Sequence, residues 1–538
     1  MKMRSLKMKC FILTVILLSV YLFVFYVLFD VWFMHKKSRI ISSVLLPYVV
    51  VHIDLKGAPP KLSYLKSLLP ILKSHGANGL LMEYEDMFPY EGKLVNISAK
   101  NCYDKSELQA FLISAINLGF EIIPLVQTFG HLEHVLKLQE FQHLREMPLY
   151  PDSICPSKTE SKALLRDMLQ QMIFFHNSIA ELKYIHIGCD EVYHINKCKL
   201  CAKERLTNND FYITYVNSVS ETIRFLSPGT VVLIWDDMLR GIKRIEWEDL
   251  DYFTKIEPVY WDYQPNLSVS HSNMLKYRKK FDNIWIASAF KGADGRVATI
   301  PHFKNRFVNH FRWLNFILDY KFGGDDKVYN FRGIILTGWS RYSHMDPPCE
   351  LLPLALPSLI INLLLIKKFQ SGIIAEEIDH NIDIYDFFTK YLEEKLNKSM
   401  QCSIIDLAGI DYSSCNFESH VLYTILQHHK HLMEYIDDNF NDEKHGLSSL
   451  EYYAKQGYMN LNTVMWNIKW TSDTLHELVA VEKKLFNALS EYYDKEVTKE
   501  YVNFKIYAGK KRLKDLLRTL RAFTKSLHHK LYEHDQDK

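Results

Sequence analysis

From Tyr48 onward the chain alternates between two kinds of segment. Short apolar runs read YVVVHIDL from Tyr48, GLLMEYE from Gly79, EIIPLV from Glu121 and YIHIGCD from Tyr184. They continue with VVLIWDD from Val231, KIEPVYWDY from Lys255, NIWIASAF from Asn283 and GIILTGWS from Gly333. Between them lie stretches of helical length, such as 61–74, 106–118, 159–176 and 209–225. Near-continuous apolar strands predict a parallel sheet covered on both faces, and the intervening helices supply the cover. Eight such units predict an α/β fold of the (β/α)8 barrel type over residues 48–368. An open doubly wound sheet is the alternative, but no strand is followed by the glycine-rich phosphate loop of that fold.

After about residue 369 glycine becomes scarce and charged helical patterns take over. Leu475, Leu478, Leu485 and Leu489 fall on one helical face, as do Leu513, Leu516, Leu517, Leu520, Leu527 and Leu531. A helical C-terminal domain is expected over 369–538, its apolar stripes packed as core.

The polar residues of the barrel region cluster at the ends of its strands. Asp54 closes the first run, and Glu83, Glu85 and Asp86 the second. The third leads to Gln127 and His131, and the fourth ends in Asp190 and Glu191. Trp235, Asp236 and Asp237 end the fifth, Trp261, Asp262 and Tyr263 the sixth, and Trp339 and Arg341 follow the eighth. In a barrel those ends meet on one face, where such enzymes keep their active sites. Neighbouring residues of a strand point to opposite faces. Asp190 and Glu191 can therefore share a cavity only where the strand has ended.

The N-terminus is of another kind. Cys10 to Phe29 carries no charge, follows Lys2, Arg4, Lys7 and Lys9, and is long enough to cross a bilayer. The expectation is a cytosolic tail (1–9), an uncleaved transmembrane signal anchor (10–33) and a short stem (34–47). A cleaved signal peptide is the rival. Either way the barrel is placed in the secretory lumen, as a single-pass type II membrane protein or its soluble product. Sequons at Asn96, Asn266 and Asn397 agree with that side.

With 65 Lys and Arg against 63 Asp and Glu there is no general basic field, which argues against nucleic acid as a partner. Cys198 and Cys201, in CKLC, could form a short disulfide, a redox pair or half a zinc site, but no second half with matching spacing is visible. Nothing in the sequence requires a metal or an organic cofactor.

The motifs HIDLKGAPPK, NGLLMEYEDMFPYEG, IPLVQTFGH, HIGCDEVY, WDDML, WDY, ASAFKG and LTGWSRY occur in that order between His52 and Tyr342. In them the chain resembles glycoside hydrolase family 20, the β-N-acetylhexosaminidases, and most closely its hexosaminidase D branch. The resemblance implies exo-hydrolysis of terminal β-linked GlcNAc or GalNAc from a glycan. It also implies substrate assistance, in which the sugar's 2-acetamido oxygen attacks the anomeric carbon. Glu191 would be the general acid, and Asp190 would orient the acetamido group. A charged neighbour and a partly desolvated pocket would raise the Glu191 pKa above the ordinary ~4.3. Asp54, His131, Trp235, Asp236, Trp261, Tyr263, Trp339 and Arg341 would contact the sugar. Lys56 stands where many members carry arginine, and Phe290 where better-known relatives supply tyrosine. These departures leave GlcNAc and GalNAc both open. A catalytically inactive, membrane-anchored glycan-binding protein is the alternative function, although binding alone has no use for an acid at Glu191.

Overall fold

The computed structural model of the chain describes residues 24–25, 46–243, 247, 255–322, 329–371, 417–441 and 444–536. The expected tail, all but two residues of the expected anchor, and the sequon at Asn397 lie outside the described residues.

Eight parallel strands close into a barrel. They are β1 (Tyr48–Asp54), β2 (Gly79–Glu83), β3 (Glu121–Leu125), β4 (Tyr184–His186), β5 (Val231–Trp235), β6 (Ile256–Trp261), β7 (Ile284–Lys291) and β8 (Phe331–Gly338). Closure comes from β8 returning to β1, with Val49 opposite Ile334 and Val51 opposite Leu336. An antiparallel hairpin, Arg145–Met147 with Tyr150–Ile154, stands in the connection after β3.

The apolar runs are continuous because both faces of each strand are buried. On β1, Val49, Val51 and Ile53 point outward into the layer beneath the helices. Val50 points inward and meets Leu81, Ile123, Leu233, Val259, Ala287 and Ile335 across the barrel. Surrounding helices follow the expected stretches. Leu62–Ser74 buries Leu65, Leu68, Leu69 and Leu72 along one stripe. Lys105–Asn117 is started by Asp104, whose carboxylate accepts the N–H groups of Ser106 and Glu107. Thr207 caps Asn208–Leu226 in the same way, accepting from the Asp210 N–H.

Helix Leu352–Gln370 is, among the described residues, the one long and apolar enough to cross a membrane, and 89% of its most apolar window is buried inside the protein. It packs between β7, helix Phe303–Phe322 and helix His420–Phe440. Residues 372–416 of the expected helical domain lie outside the described residues; beyond them the described residues form helices His420–Phe440, Leu447–Gln456, Leu461–Leu489 and Lys495–Gln536. Its two leucine stripes are inside, with Leu478, Leu485, Leu489, Leu513, Leu516 and Leu520 all buried. The region is tied to the barrel by backbone and side chain. The Lys61 N–H donates to the Tyr492 carbonyl at 2.7 Å, and the Leu352 N–H to the Tyr493 hydroxyl at 3.2 Å.

The barrel floor is aromatic. Trp285 stacks on Tyr48 with centroids 5.4 Å apart, meets Tyr184 edge-on, and donates its indole N–H to Glu257 at 2.6 Å. Gly333 makes room for it, since a Cβ there would lie 2.6 Å from the Trp285 ring and 2.7 Å from the Tyr48 carbonyl oxygen. Gly333→Ala is therefore expected to destabilise the barrel by about 1–3 kcal/mol, the cost of overpacking a filled core. Urea unfolding with an unchanged m-value would measure it. Unaltered stability would mean that the floor can shift.

Candidate functional site

The site begins where β4 stops. Gly188, Cys189 and Glu191 all have positive φ, at 69°, 69° and 48°. Gly188 takes this conformation without strain. For Cys189 and Glu191 it costs on the order of 1 kcal/mol each. The kinked segment is pinned from behind. The Tyr212 hydroxyl donates to the Cys189 carbonyl at 2.9 Å, and the Glu191 N–H to Asp237 Oδ2 at 2.9 Å. The loop after β3 lies against it so closely that a Cβ on Gly130 would sit 2.5 Å from the Asp190 carbonyl oxygen.

These turns put two consecutive carboxylates on the same side. His131, itself at φ 51°, places Nε2 3.3 Å from Asp190 Oδ2 and 3.5 Å from Glu191 Oε2. Asp190 is nearly buried and Glu191 more than a third exposed, so the pair spans the boundary between barrel and solvent. Tyr193, largely exposed, lies near enough to help lower the Glu191 pKa.

Asp237 continues the ring. Its Oδ1 accepts the Trp261 indole N–H at 3.2 Å, and Trp261 stacks on Tyr263 at 5.2 Å. Thr337 and Trp339 lie near enough to Tyr263 to lower its hydroxyl pKa, against the larger upward push of burial. Trp339 rests on Trp235 at 5.7 Å and on His52 at 4.7 Å. Asp190, Glu191, His131, Trp261, Tyr263 and Trp339 thus form one connected rim, with Trp235 fully buried beneath it.

Below the rim is a buried polar belt. Glu83 accepts from Gln127 at 3.1 Å, contacts His52 at 3.0 Å and lies 3.9 Å from the Lys56 ammonium. That ammonium also lies 3.4 Å from Glu85 and 5.5 Å from the centre of the Trp339 ring. Burial opposes the charge on Lys56, but Glu85, Glu83 and Asp54 outweigh it and hold its pKa well above the usual lysine value. Lys56, at 3% exposure, faces these acids and not the open rim.

Three of the expected sugar-contacting residues are engaged elsewhere. Asp236 is fully buried, paired with Arg240 and accepting the Tyr277 hydroxyl at 2.9 Å. β5 ends at Trp235 and the chain turns into a short helix, Asp237–Arg240, which carries the Asp236 side chain onto Arg240 and the Asp237 side chain to Trp261. Arg341 is likewise held away from the rim, with both terminal nitrogens on Glu500 of the last helix and further bonds to the Lys56 and Gly57 carbonyls. Asp54 reaches the top of β1, where its carboxylate accepts the N–H groups of Lys56 and Ser340 and seals the β1–β8 seam. Asp237, Tyr193 and the Glu83 belt were not among the expected site residues.

The charge balance at Glu191 also differs from expectation. The hydrogen bond with His131 lowers its pKa, outweighing burial, which raises it. Burial works against a charged His131, but the Asp190 charge and hydrogen bonds to both acids lift its pKa well above the ordinary histidine value. Asp237 is pushed up to about 7 by burial and then by the Asp190 charge. The same contacts thus act oppositely on the two groups, raising the His131 pKa and lowering that of Glu191.

Two hexosaminidase D proteins are similar to this chain. That of Bos taurus is 41% identical over 341 residues, covering 62% of this chain and 95% of the relative. That of Homo sapiens is 41% identical over 326 residues, covering 59% of this chain and 65% of the relative. Among solved structures, a β-N-acetylhexosaminidase from Bacteroides fragilis NCTC 9343 is 14% identical, covers 66% of this chain and 71% of its own, and has a TM-score of 0.45. No protein-family profile matches the chain.

His131 is expected to remain protonated through neutral pH, with its ring resonances titrating at a midpoint well above the ordinary ~6.5. NMR of the histidine side chains would check this, with His131→Phe identifying the signal. A folded-state pKa raised above the unfolded one adds stability that is fully present below about pH 6.5 and is lost as pH rises through the raised value. A midpoint at or below 6.5 would contradict the bridging geometry.

Proposed function

The chain belongs to the hexosaminidase D family, and from that premise we propose that it hydrolyses terminal β-linked N-acetylhexosamines with the substrate's own acetamido group as nucleophile. It is a glycoside hydrolase. The observation that carries the mechanistic reading is the placement of Asp190 and Glu191, consecutive in the chain, around a single ring nitrogen of His131. A retaining enzyme with its own nucleophile sets its two carboxylates on opposite sides of the sugar. Two acids side by side leave the far side of the anomeric carbon to a group the substrate brings.

The steps follow from the geometry. The sugar lies against the rim formed by Trp261, Tyr263 and Trp339, apolar surfaces that also exclude water. The acetamido N–H donates to Asp190, which polarises the amide and turns its oxygen toward the anomeric carbon. That engagement weakens the hold of Asp190 on the His131 proton and makes it available to Glu191. Glu191 then protonates the leaving oxygen as the C1–O bond breaks and the acetamido oxygen bonds to C1. The resulting oxazolinium is steadied by the Asp190 charge. Glu191, now a carboxylate, takes a proton from the water that attacks C1 as the bond from C1 to the acetamido oxygen breaks, and passes that proton back to His131. Asp237 positions both partners, holding the Glu191 backbone and the Trp261 indole. GlcNAc and GalNAc are both proposed as substrates, because Lys56 is turned into the barrel and Arg341 onto Glu500, so neither clamps the sugar's hydroxyls.

We further propose that residues 10–33 anchor the chain with the barrel on the luminal side. Asn96 and Asn266, in two of the three sequons, are exposed. Glycosidase-sensitive mass shifts abolished by Asn96→Gln and Asn266→Gln are expected. Absence of both shifts in material from a secretory host would reject the luminal placement.

Glu191→Gln is expected to lower kcat/KM on aryl β-N-acetylhexosaminides by about 10²–10⁴-fold, the loss of one general acid. Binding of a thiazoline mimic of the cyclic intermediate should be kept. Full turnover by this variant would remove Glu191 from the reaction, and insensitivity of the wild type to the thiazoline would point to an enzyme-borne nucleophile. No turnover of either epimer by the wild type would favour the glycan-binding alternative.

A further inference from the structure

Cys198 and Cys201 have a partner set that the linear spacing hides. The fold brings Cys155, which follows the hairpin, to 3.5 Å from the sulfur of each. Glu146, on the first hairpin strand, points Oε2 at the Cys201 sulfur, 3.2 Å away. The four ligand atoms all lie within 4.8 Å of one another. Cys155, Cys201 and Glu146 are buried at 0%, 0% and 1% exposure, and Cys198 is half-buried.

We propose that Glu146, Cys155, Cys198 and Cys201 form a tetrahedral structural site for one zinc ion. A tetrahedron with Zn–S bonds of about 2.3 Å spaces its sulfurs roughly 3.8 Å apart, a few tenths of an ångström beyond the separations here. Three thiolates and a carboxylate match zinc in softness and charge, whereas calcium and magnesium take oxygen ligands. A disulfide would use two of the three sulfurs and leave a buried thiol and a buried carboxylate facing it.

The surroundings suit anionic ligands. Glu146 Oε1 accepts the N–H groups of Lys197 and Cys198 at 2.6 and 2.7 Å, which fixes Oε2 toward the sulfurs. Among the described residues no side-chain cation pairs with this buried carboxylate. The Cys201 N–H donates to the Cys198 sulfur at 3.3 Å. On binding, the three thiols release their protons to solvent and the sulfur lone pairs bond the metal.

The site would join the two loops that carry the acids and their histidine. Cys198 and Cys201 lie in the segment that begins with Glu191, while Glu146 is on the hairpin and Cys155 directly follows it. The hairpin's Asp152 accepts the Leu132 N–H next to His131 and bonds His194 at 2.9 Å. The metal thus acts on Glu191 and His131 by positioning, without touching substrate.

The full chain, purified without chelator and assayed by plasma mass spectrometry, should hold about one zinc per molecule. Glu146→Gln and Cys198→Ser should each lose most of it, while Glu191→Gln keeps it. In the wild type, Cys155, Cys198 and Cys201 should resist alkylation until a strong chelator is added, whereas Cys102 should react equally with and without it. A disulfide among the three cysteines in non-reducing peptide maps, or no zinc retained after incubation with zinc and desalting, would overturn the proposal.

Discussion

Two consecutive residues of a β-strand cannot face the same way, and the whole site depends on how the chain escapes that constraint. It does so by leaving the strand after His186 and passing through left-handed conformations at Gly188, Cys189 and Glu191. Only one of these is glycine. The strain at the other two persists because Tyr212, Asp237 and the close-packed Gly130 loop hold the segment from three sides. Without that kink, Asp190 and Glu191 would point apart, and His131 could not bridge them.

The kink also sets the electrostatics. His131 sits between two acids at nearly equal distances, so its pKa is raised where a lone buried imidazole's would fall, and its hydrogen bond lowers that of Glu191. Asp237 takes part through the same contacts, since its elevated pKa arises from burial beside the Asp190 charge. Rim, histidine and acids form one coupled set, and the aromatic ring from Trp261 through Tyr263 to Trp339 closes it.

The C-terminal helices are part of this arrangement through Arg341. Its guanidinium joins Glu500 of helix Lys495–Gln536 to the carbonyls of Lys56 and Gly57, directly above β1. A residue that by position belongs with the sugar site instead fastens the helical region to the barrel lip. Asp54 is similarly committed, its carboxylate shared between the loops that follow β1 and β8.

Much of this was already determined by the sequence alone. Eight apolar runs separated by helical stretches specify the barrel, because a strand buried on both faces has to be apolar almost throughout. The acids and indoles at the run ends mark which face carries the site. The leucine stripes beyond residue 475 specify helices with a buried side. Tertiary structure decided what depends on distance across the fold. It turned Asp236 outward and Asp237 inward, drew Arg341 to Glu500 and Lys56 beneath Trp339, and lowered the pKa of Glu191 where burial by itself would have raised it. It also brought Glu146 and Cys155 to Cys198 and Cys201 across roughly fifty residues of chain. Local periodicity reports which side of an element is apolar; partners that meet through loop closure leave no periodic trace, so only the folded chain reveals them.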